Sequence, residues 1–229
     1  MAGGARAAVL VGSHARGDAG PDSDVDLLAV GEGQPSWLER RGGLLVSVNT
    51  RSSEAYRDSF ASPELVCGSV PAWRGAVVLR DPEGLAAALV KEAKVWTWRK
   101  VEERCDKWVA EQITGYAEES HKLVAAYNSR RLSTAAVQRA LLAVHLAPVL
   151  AVHLRILYSS ENWLWDLIAD AMGKEWREAQ SAALGLDDED FKETCAAALR
   201  LYRLAADTTF RLLDGRQRRV VRRAQSASL

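Results

Sequence analysis

Residues 7–30 read AAVLVGSHARGDAGPDSDVDLLAV, and this stretch decides the fold of the first part of the chain. The apolar residues 9–11 are strand formers, and their run stops at Gly12 and Ser13. A polar loop rich in glycine and aspartate follows, and a second apolar run covers residues 27–30. The pattern predicts two strands that are joined by a polar loop.

Asp24 and Asp26 stand where the second of these strands begins. Residues two apart in an extended chain share a face, so the two carboxylates are expected to project together. Neighbouring carboxylates repel and resist ionisation, and a divalent cation removes that conflict. Because Mg²⁺ takes one or two protein carboxylates together with phosphate oxygens, the spacing predicts a magnesium site that is shared with a phosphate-bearing substrate.

Gly12 and Ser13 are expected to hold the phosphates of that substrate. Glycine lets the backbone approach a ligand closely, and Ser13 is expected to cap a helix whose first N–H groups face an anion. The alternative interpretation of the whole stretch is a surface turn in which two solvated aspartates precede a strand.

The order of these features resembles the signature of the DNA polymerase β-like nucleotidyltransferase superfamily. The resemblance rests on a glycine–serine pair, a later glycine, and the sequence SDVD at residues 23–26. It implies an enzyme that uses Mg²⁺, with Asp24 and Asp26 as catalytic metal ligands. It also implies nucleotide-binding roles for Gly12, Ser13, Arg16 and Ser23.

The composition is that of a charge-balanced protein. Lys+Arg and Asp+Glu both number 30, which argues against a nucleic-acid-coating protein and against nucleic acid as a partner. No signal peptide is expected, and no apolar run approaches the roughly 18 residues of a membrane span. Three isolated cysteines, Cys67, Cys105 and Cys195, show no zinc spacing and fit a reducing cytoplasm. We therefore expect a cytoplasmic protein without a membrane partner.

The chain is expected to have an α+β fold in two domains, residues 1–90 and 91–229. In the first domain short strands, such as residues 44–50, are mixed with short helices, and residues 37–41 are expected to form a helical turn. The resemblance implies that this domain is a polymerase β-like nucleotidyltransferase domain with a small mixed sheet.

The second domain is predicted to be an all-α helical bundle. Residues 91–128 are expected to form a long amphipathic helix that is broken near Gly115. Ser133 and Thr134 are expected to cap a second long helix, which is apolar on most sides and therefore buried. Five arginines within residues 216–223 predict a frayed, solvated tail, or a contact to phosphate or to a partner.

Beyond the signature, the chain resembles the kanamycin-type aminoglycoside nucleotidyltransferases, which join a polymerase β-like domain to a helical bundle. The stretches that carry this resemblance are residues 12–30, 46–58, 116–133 and 154–164. The resemblance implies transfer of a nucleoside monophosphate, with AMP as the expected group, from an NTP to a hydroxyl of an aminoglycoside-like antibiotic or a related metabolite. It also implies a homodimer with the site near the interface.

Glu118 and Lys122 lie within the third of these stretches and are expected to share one face of a helix. By the resemblance, Glu118 deprotonates the acceptor hydroxyl and Lys122 holds a nucleotide phosphate, with Glu119 as the alternative base. The residues alone also permit an exposed ion pair that contributes roughly 0.3–0.5 kcal/mol.

The chain departs from the superfamily at Ser47, where similar enzymes carry a third carboxylate. Loss of one acid weakens metal binding, although triphosphate oxygens also bind Mg²⁺. Three outcomes are open: activity with two aspartates, replacement by another acid such as Glu54, or loss of activity. One rival prediction is therefore a nucleotide-binding pseudoenzyme or regulatory protein. Another is a transferase that modifies a protein, as in toxin–antitoxin systems.

Overall fold

The computed structural model describes residues 4–229, which form an α+β structure in two compact units. The first unit reaches to Val101 and takes in the later segment Leu157–Glu161. The second unit comprises Glu102–Ile156 and Asn162–Leu229. The predicted combination of a small mixed sheet with helices, followed by a helical region, is confirmed.

A five-stranded mixed sheet forms the centre of the first unit. Its strands in chain order are β1 (Ala5–Val11), β2 (Val25–Gly31), β3 (Ser36–Arg41), β4 (Leu44–Arg51) and β5 (Val77–Arg80). In space the order is β3-β4-β2-β1-β5, with β2 and β4 parallel and the other neighbours antiparallel. The helices of this unit are α1 (Gly12–Arg16), α2 (Ser53–Ser59), α3 (Val66–Arg74) and α4 (Leu85–Lys94).

One face of this sheet carries buried apolar side chains. Ala7, Val9 and Val11 alternate along β1 and are buried, as expected for a strand with one face in the core. Residues that are directly opposite on antiparallel strands share a face of the sheet. Because Asp26 of β2 pairs with Val11, its side chain lies at the end of the buried face.

Residues 37–41 form a strand, so the prediction of a helical turn there is wrong. They belong to β3, which pairs antiparallel with β4 across a turn at Gly42 and Gly43. This cross-strand pairing overrides the helix propensity of Leu38 and Glu39, because the pairing depends on a partner that the local pattern does not contain.

The second unit is helical. Its helices are α5 (Glu102–Asn128), α6 (Leu132–His153), α7 (Leu164–Met172), α8 (Lys174–Leu184), α9 (Phe191–Thr209) and α10 (Gly215–Gln225). The helix predicted over residues 91–128 is interrupted at residues 95–101 rather than near Gly115, since α5 continues through this glycine. Ser133 and Thr134 do not cap α6, which begins after Arg131 without a side-chain hydrogen bond at its first turn.

Helix α6 corrects the expectation that no segment of the chain is apolar enough to span a membrane. By length and composition alone, α6 is apolar enough to cross a membrane, although no such segment was expected. Of its most apolar 18-residue window, 56% is buried inside the structure, and α6 packs against α5 and α9. A core helix passes the same compositional test, and the burial identifies α6 as the core helix of the second unit.

The arginine-rich tail forms helix α10, so the prediction of a frayed end is wrong for these residues. A capping box closes its first turn: Asp214 Oδ1 accepts from the Gln217 N–H at 2.8 Å, and Gln217 Oε1 accepts from the Asp214 N–H at 2.9 Å. Val221 and Ala224 anchor the helix by their burial. The arginines themselves are exposed.

Candidate active site

Three strands meet at Asp26, which lies near the start of β2. In the sheet register Asp26 pairs with Val11, the last residue of β1, and with Ser47 of β4. Asp24 directly precedes the strand and is exposed, whereas Asp26 is half-buried. The two predicted carboxylates therefore lie at one end of the central strand, beside the serine that replaces the third acid of similar enzymes.

The electrostatic conflict that the sequence predicts is present at Asp26. Burial raises the pKa of this carboxyl, and the charge of Asp24 raises it further. A hydrogen bond from the Ser47 hydroxyl opposes the shift, as do the charges of His14 and Arg16, but they do not cancel it. A cation would thus be attracted to a carboxylate pair that the protein itself leaves incompletely neutralised.

Two carboxylates do not by themselves make a complete metal site. Among residues 4–229 no cluster of three or more His, Cys, Asp or Glu side chains is placed to hold a metal ion. Asp24 and Asp26 do fit Mg²⁺, which usually keeps several waters and takes further ligands from substrate phosphates. The donor set therefore suits a cation that arrives with a nucleotide.

Gly12 is required by the position of the Asp26 carboxylate. Gly12 has a φ of +70°, and a Cβ atom added there would lie 2.6 Å from Asp26 Oδ2. That separation is shorter than carbon–oxygen contacts in proteins, so only glycine lets this backbone lie directly against the carboxylate. The structure shows a close approach of Gly12 to Asp26, and the predicted contact between Gly12 and a phosphate stays a prediction.

Replacing Gly12 with alanine should displace the Asp26 carboxylate and lower transfer by roughly 10²-fold. The matched control is Gly17→Ala, because Gly17 has a φ of +83° but nothing lies within 4 Å of its added Cβ. Thermal unfolding should reveal backbone strain of about 1–3 kcal/mol in both variants. A pyrophosphate-release assay should find activity lost only in Gly12→Ala, and equal activity in the two variants would contradict the argument.

Ser13 lies in α1, a helix of five residues, but does not cap it. Val11 occupies the cap position without a side-chain hydrogen bond, so the predicted capping role is wrong. The physical reason is that the chain passes from β1 into α1 through Gly12, one residue before Ser13. The Ser13 carbonyl accepts from the N–H of Gly17 at 2.9 Å, which ends the helix.

Arg16 is held by oxygen acceptors of Asp18 and Ser159. Its Nε donates to Asp18 Oδ2 at 3.2 Å, and its Nη1 donates to the Ser159 carbonyl at 2.7 Å. The Ser159 contact was missed by sequence reasoning, and its only indication was that Ser159 falls within the resembling stretch 154–164. Arg16 thus joins the loop before β2 to the later segment of the same unit.

Ser23 shapes the loop that presents Asp24. Its hydroxyl accepts the N–H of Gly20 at 2.9 Å, and its own N–H donates to the Gly20 carbonyl at 3.1 Å. His14 Nε2 lies 3.4 Å from the Ser23 carbonyl oxygen. The residue before the two carboxylates is therefore fixed on both its side chain and its backbone.

Lys122 joins two glutamates on α5, in the second unit. Its Nζ lies 2.8 Å from Oε1 of Glu118 and 3.2 Å from Oε1 of Glu119. The hydrogen bond and the charge of Lys122 lower the pKa of Glu118, and hydrogen bonds to both glutamates raise the pKa of Lys122. The predicted shared helix face is present, and Glu118 is held in the ionised form that a base requires.

The structure thus places the predicted site residues in two groups. The group in the first unit contains Gly12, Ser13, Arg16, Ser23, Asp24 and Asp26, and the group in the second unit contains Glu118 and Lys122. The first group has the features of a triphosphate and cation site, and the second has those of a proton acceptor beside a cation.

A carboxylate pair at the end of a central strand, beside a glycine–serine corner on a mixed sheet, fits the polymerase β-like nucleotidyltransferase superfamily. Residues 4–114 match the family model of the nucleotidyltransferase domain. This part of the chain therefore matches a nucleotidyltransferase domain, and the match supports a transferase enzyme.

The chain is also similar in structure to a nucleotidyltransferase-like protein from Exiguobacterium sibiricum 255-15. The TM-score is 0.54 at 13% sequence identity, and the match covers 92% of this chain and 72% of that one. At this identity the likeness concerns the fold alone. A search of curated protein sequences finds no match.

Proposed function

We propose that this enzyme transfers a nucleoside monophosphate, AMP in the first instance, from an Mg²⁺-bound NTP to a hydroxyl of a small molecule. The observation that carries the proposal is the Asp24–Asp26 pair: burial and the charge of Asp24 raise the pKa of Asp26, and Gly12 lies directly against the Asp26 carboxylate. The resemblance of the sequence to kanamycin-type enzymes supports an aminoglycoside-like antibiotic or a related metabolite as the acceptor.

The first-unit residues would bind and orient the nucleotide. Asp24 and Asp26 would hold Mg²⁺, which when bound neutralises part of the triphosphate charge. Gly12 and Ser13 would contact the phosphates through the β1–α1 corner, and Arg16 adds positive charge there. Transfer of this kind depends mainly on positioning and charge neutralisation, which these residues would supply.

Glu118 would remove the proton of the acceptor hydroxyl. The acceptor oxygen then bonds to the α-phosphorus in line, the bond to the β-phosphate oxygen breaks, and pyrophosphate leaves. Lys122 lowers the pKa of Glu118 in the nucleotide-free enzyme. If Lys122 binds a nucleotide phosphate instead, it no longer lowers the pKa of Glu118. Glu118 then becomes a stronger base when the substrate is bound.

Replacing Ser47 with aspartate should lower the Kd for Mn²⁺, a spectroscopic substitute for Mg²⁺, by roughly tenfold or more, because a third oxygen ligand would join the pair. Ser47 is in register with Asp26, so the new carboxylate would face it. Asn49→Asp is the matched control, since it adds the same charge in register with Leu28 instead. Electron paramagnetic resonance titration measures the Kd for Mn²⁺ of both variants. Equal Kd values would contradict the placement of residue 47 beside Asp26.

The proposed activity is tested by a mass-spectrometric screen of hydroxyl-bearing compounds with Mg²⁺ and mixed NTPs. An added nucleoside monophosphate on one compound, with matching pyrophosphate release, would support the proposal, and Asp24→Asn serves as the inactive control. Absence of transfer to every compound and to proteins of a cell extract, despite MgATP binding by calorimetry, would instead favour the nucleotide-binding pseudoenzyme. This second candidate is retained because Ser47 stands where similar enzymes carry a third carboxylate.

The resemblance to kanamycin-type enzymes also supports a homodimer, and the three isolated cysteines support a cytoplasmic location. Balanced charge argues against nucleic acid as a partner, because Lys+Arg and Asp+Glu both number 30. Sedimentation velocity of the purified chain would distinguish the dimer from a monomer.

A further inference from the structure

A groove of about 860 Å³ separates α5 from α10 and the residues that follow it. Glu118, the proposed base, lies on its α5 wall, and Arg223 lies on its α10 wall. The other polar residues that line the groove are Thr114, His121, Ser226 and Ser228. All of these residues belong to the second unit, so the groove is defined within that unit alone.

Gly115 leaves room in this groove. It lies in the middle of α5, where glycine costs about 1 kcal/mol relative to alanine. Nothing lies within 4 Å of a Cβ atom added there, so packing against a neighbour does not explain the glycine. The open space beside Gly115 is instead part of the groove itself.

The unmatched charge of the groove is positive. Glu118 is already paired with Lys122 at 2.8 Å, so these two charges offset each other. In contrast, within residues 4–229 the five arginines of α10 have no carboxylate within 4 Å. Arg223 is the one of them that lines the groove.

The arginines of α10 are divided between two faces. Arg218 and Arg222 stack over the Phe210 ring, with 5.3 Å and 5.2 Å from guanidinium carbon to ring centroid. Arg216 and Arg219 precede Arg223 by seven and four residues, and helical spacing places them on the groove side with it. The positive charge beside the groove is therefore reinforced along the helix, where a polycation would be repelled.

We propose that the α5–α10 groove binds the acceptor, and that the acceptor is a small hydroxyl-bearing anion. Its phosphate or carboxylate is held by Arg223, and its hydroxyl faces Glu118. The hydroxyl proton goes to the Glu118 carboxylate, the oxygen bonds to the α-phosphorus of the NTP, and pyrophosphate leaves. The inference rests on the proposed function and narrows its acceptor to an anionic metabolite rather than a cationic aminoglycoside.

Binding is tested on the full chain without nucleotide, by isothermal titration calorimetry with four probes. Glucose 6-phosphate and glucuronate carry the two anionic groups, glucose is neutral, and kanamycin is cationic. We expect saturable binding of at least one anion and none of glucose or kanamycin. Arg223→Gln should weaken the anion by about tenfold or more, as expected for loss of a charged hydrogen bond.

Arg218→Gln is the matched control, because it removes the same charge from the other face of α10 and should change the Kd less than twofold. Gly115→Phe should fill the groove and abolish binding, with circular dichroism melting as the check of folding. Equal weakening by the two arginine variants, preferential binding of kanamycin, or no binding of either anion would overturn the proposal.

Because the readout is binding, Arg223-dependent anion binding supports the groove even if the transfer assay fails. Transfer to kanamycin that is insensitive to Arg223→Gln would overturn the groove and leave the proposed function standing.

Discussion

The Asp26→Asn variant should be inactive in nucleotidyl transfer and yet more resistant to thermal unfolding than the wild type. The carboxylate is half-buried beside Asp24, and both effects raise its pKa in the folded state. A raised folded pKa means that the stabilising contribution of this group is present below its unfolded pKa and is lost as pH rises through its folded pKa. At neutral pH the wild type therefore carries an electrostatic cost that asparagine removes.

Loss of activity follows from the same substitution, because a neutral amide is a poor replacement for a charged oxygen ligand of Mg²⁺. Pyrophosphate release measures activity, and scanning calorimetry measures the unfolding midpoint between about pH 4 and pH 8. The midpoint advantage of Asp26→Asn should shrink as the pH is lowered, since protonation relieves the cost in the wild type. A variant that keeps wild-type turnover, or that unfolds at a lower temperature, would disprove the assignment.

Asp24→Asn is the companion variant for this experiment. Asp24 is exposed, so its replacement removes the repulsion felt by Asp26 but not the burial of Asp26. We expect the same loss of transfer with a smaller gain in the unfolding midpoint. Such opposition between stability and activity is typical of sites that hold like charges together for a ligand.

The second large effect is expected for Glu118→Gln, which should lower kcat by roughly 10²–10⁴-fold while leaving MgATP binding nearly unchanged. Lys122 keeps the pKa of Glu118 below its usual range, so the wild-type carboxylate is ionised at neutral pH and ready to accept a proton. Glutamine keeps the size of the side chain but accepts no proton. Steady-state kinetics and calorimetry with MgATP separate the loss of turnover from any loss of binding.

Glu119→Gln provides the control for this prediction, since Glu119 contacts the same Lys122 nitrogen at 3.2 Å. If Glu118 is the base, Glu119→Gln retains most of the turnover, and the acidic limb of the pH–rate profile disappears only in Glu118→Gln. The reverse pattern would move the base by one residue along α5. Full activity in both variants would show that α5 does not supply the base.

The paired acids could be predicted from the sequence because their spacing is a local property. The apolar run predicts β2, which contains Asp26 and which Asp24 directly precedes, and apolar periodicity identifies the buried helix α6. The contact between Gly12 and the Asp26 carboxylate depends on how β1 and β2 pair, and no local pattern contains that pairing. The hydrogen bond from Ser47 to Asp26 depends in the same way on the parallel register of β2 and β4.

The errors of the sequence interpretation have the same origin. Residues 37–41 have helix-forming character, and only the neighbouring strand β4 draws them into the sheet. A frayed end was predicted after residue 215 because arginine repeats are polar, but two buried side chains and a capping box are enough to order α10. Glycine near the middle of α5 was taken to break the helix, whereas the surrounding packing carries the helix through it.

The segment Leu157–Glu161 makes the first unit discontinuous in the gene. The N–H of Tyr158 donates to the Cys67 carbonyl at 3.0 Å, and the Ser159 carbonyl accepts from Arg16, so this short segment belongs structurally with the first unit. A fragment ending near Val101 would lack both contacts. Recombination with a single crossover near Val101 would join the first unit to a different helical unit but leave out Leu157–Glu161. The recombinant would keep the complete first unit only if this segment were transferred as well.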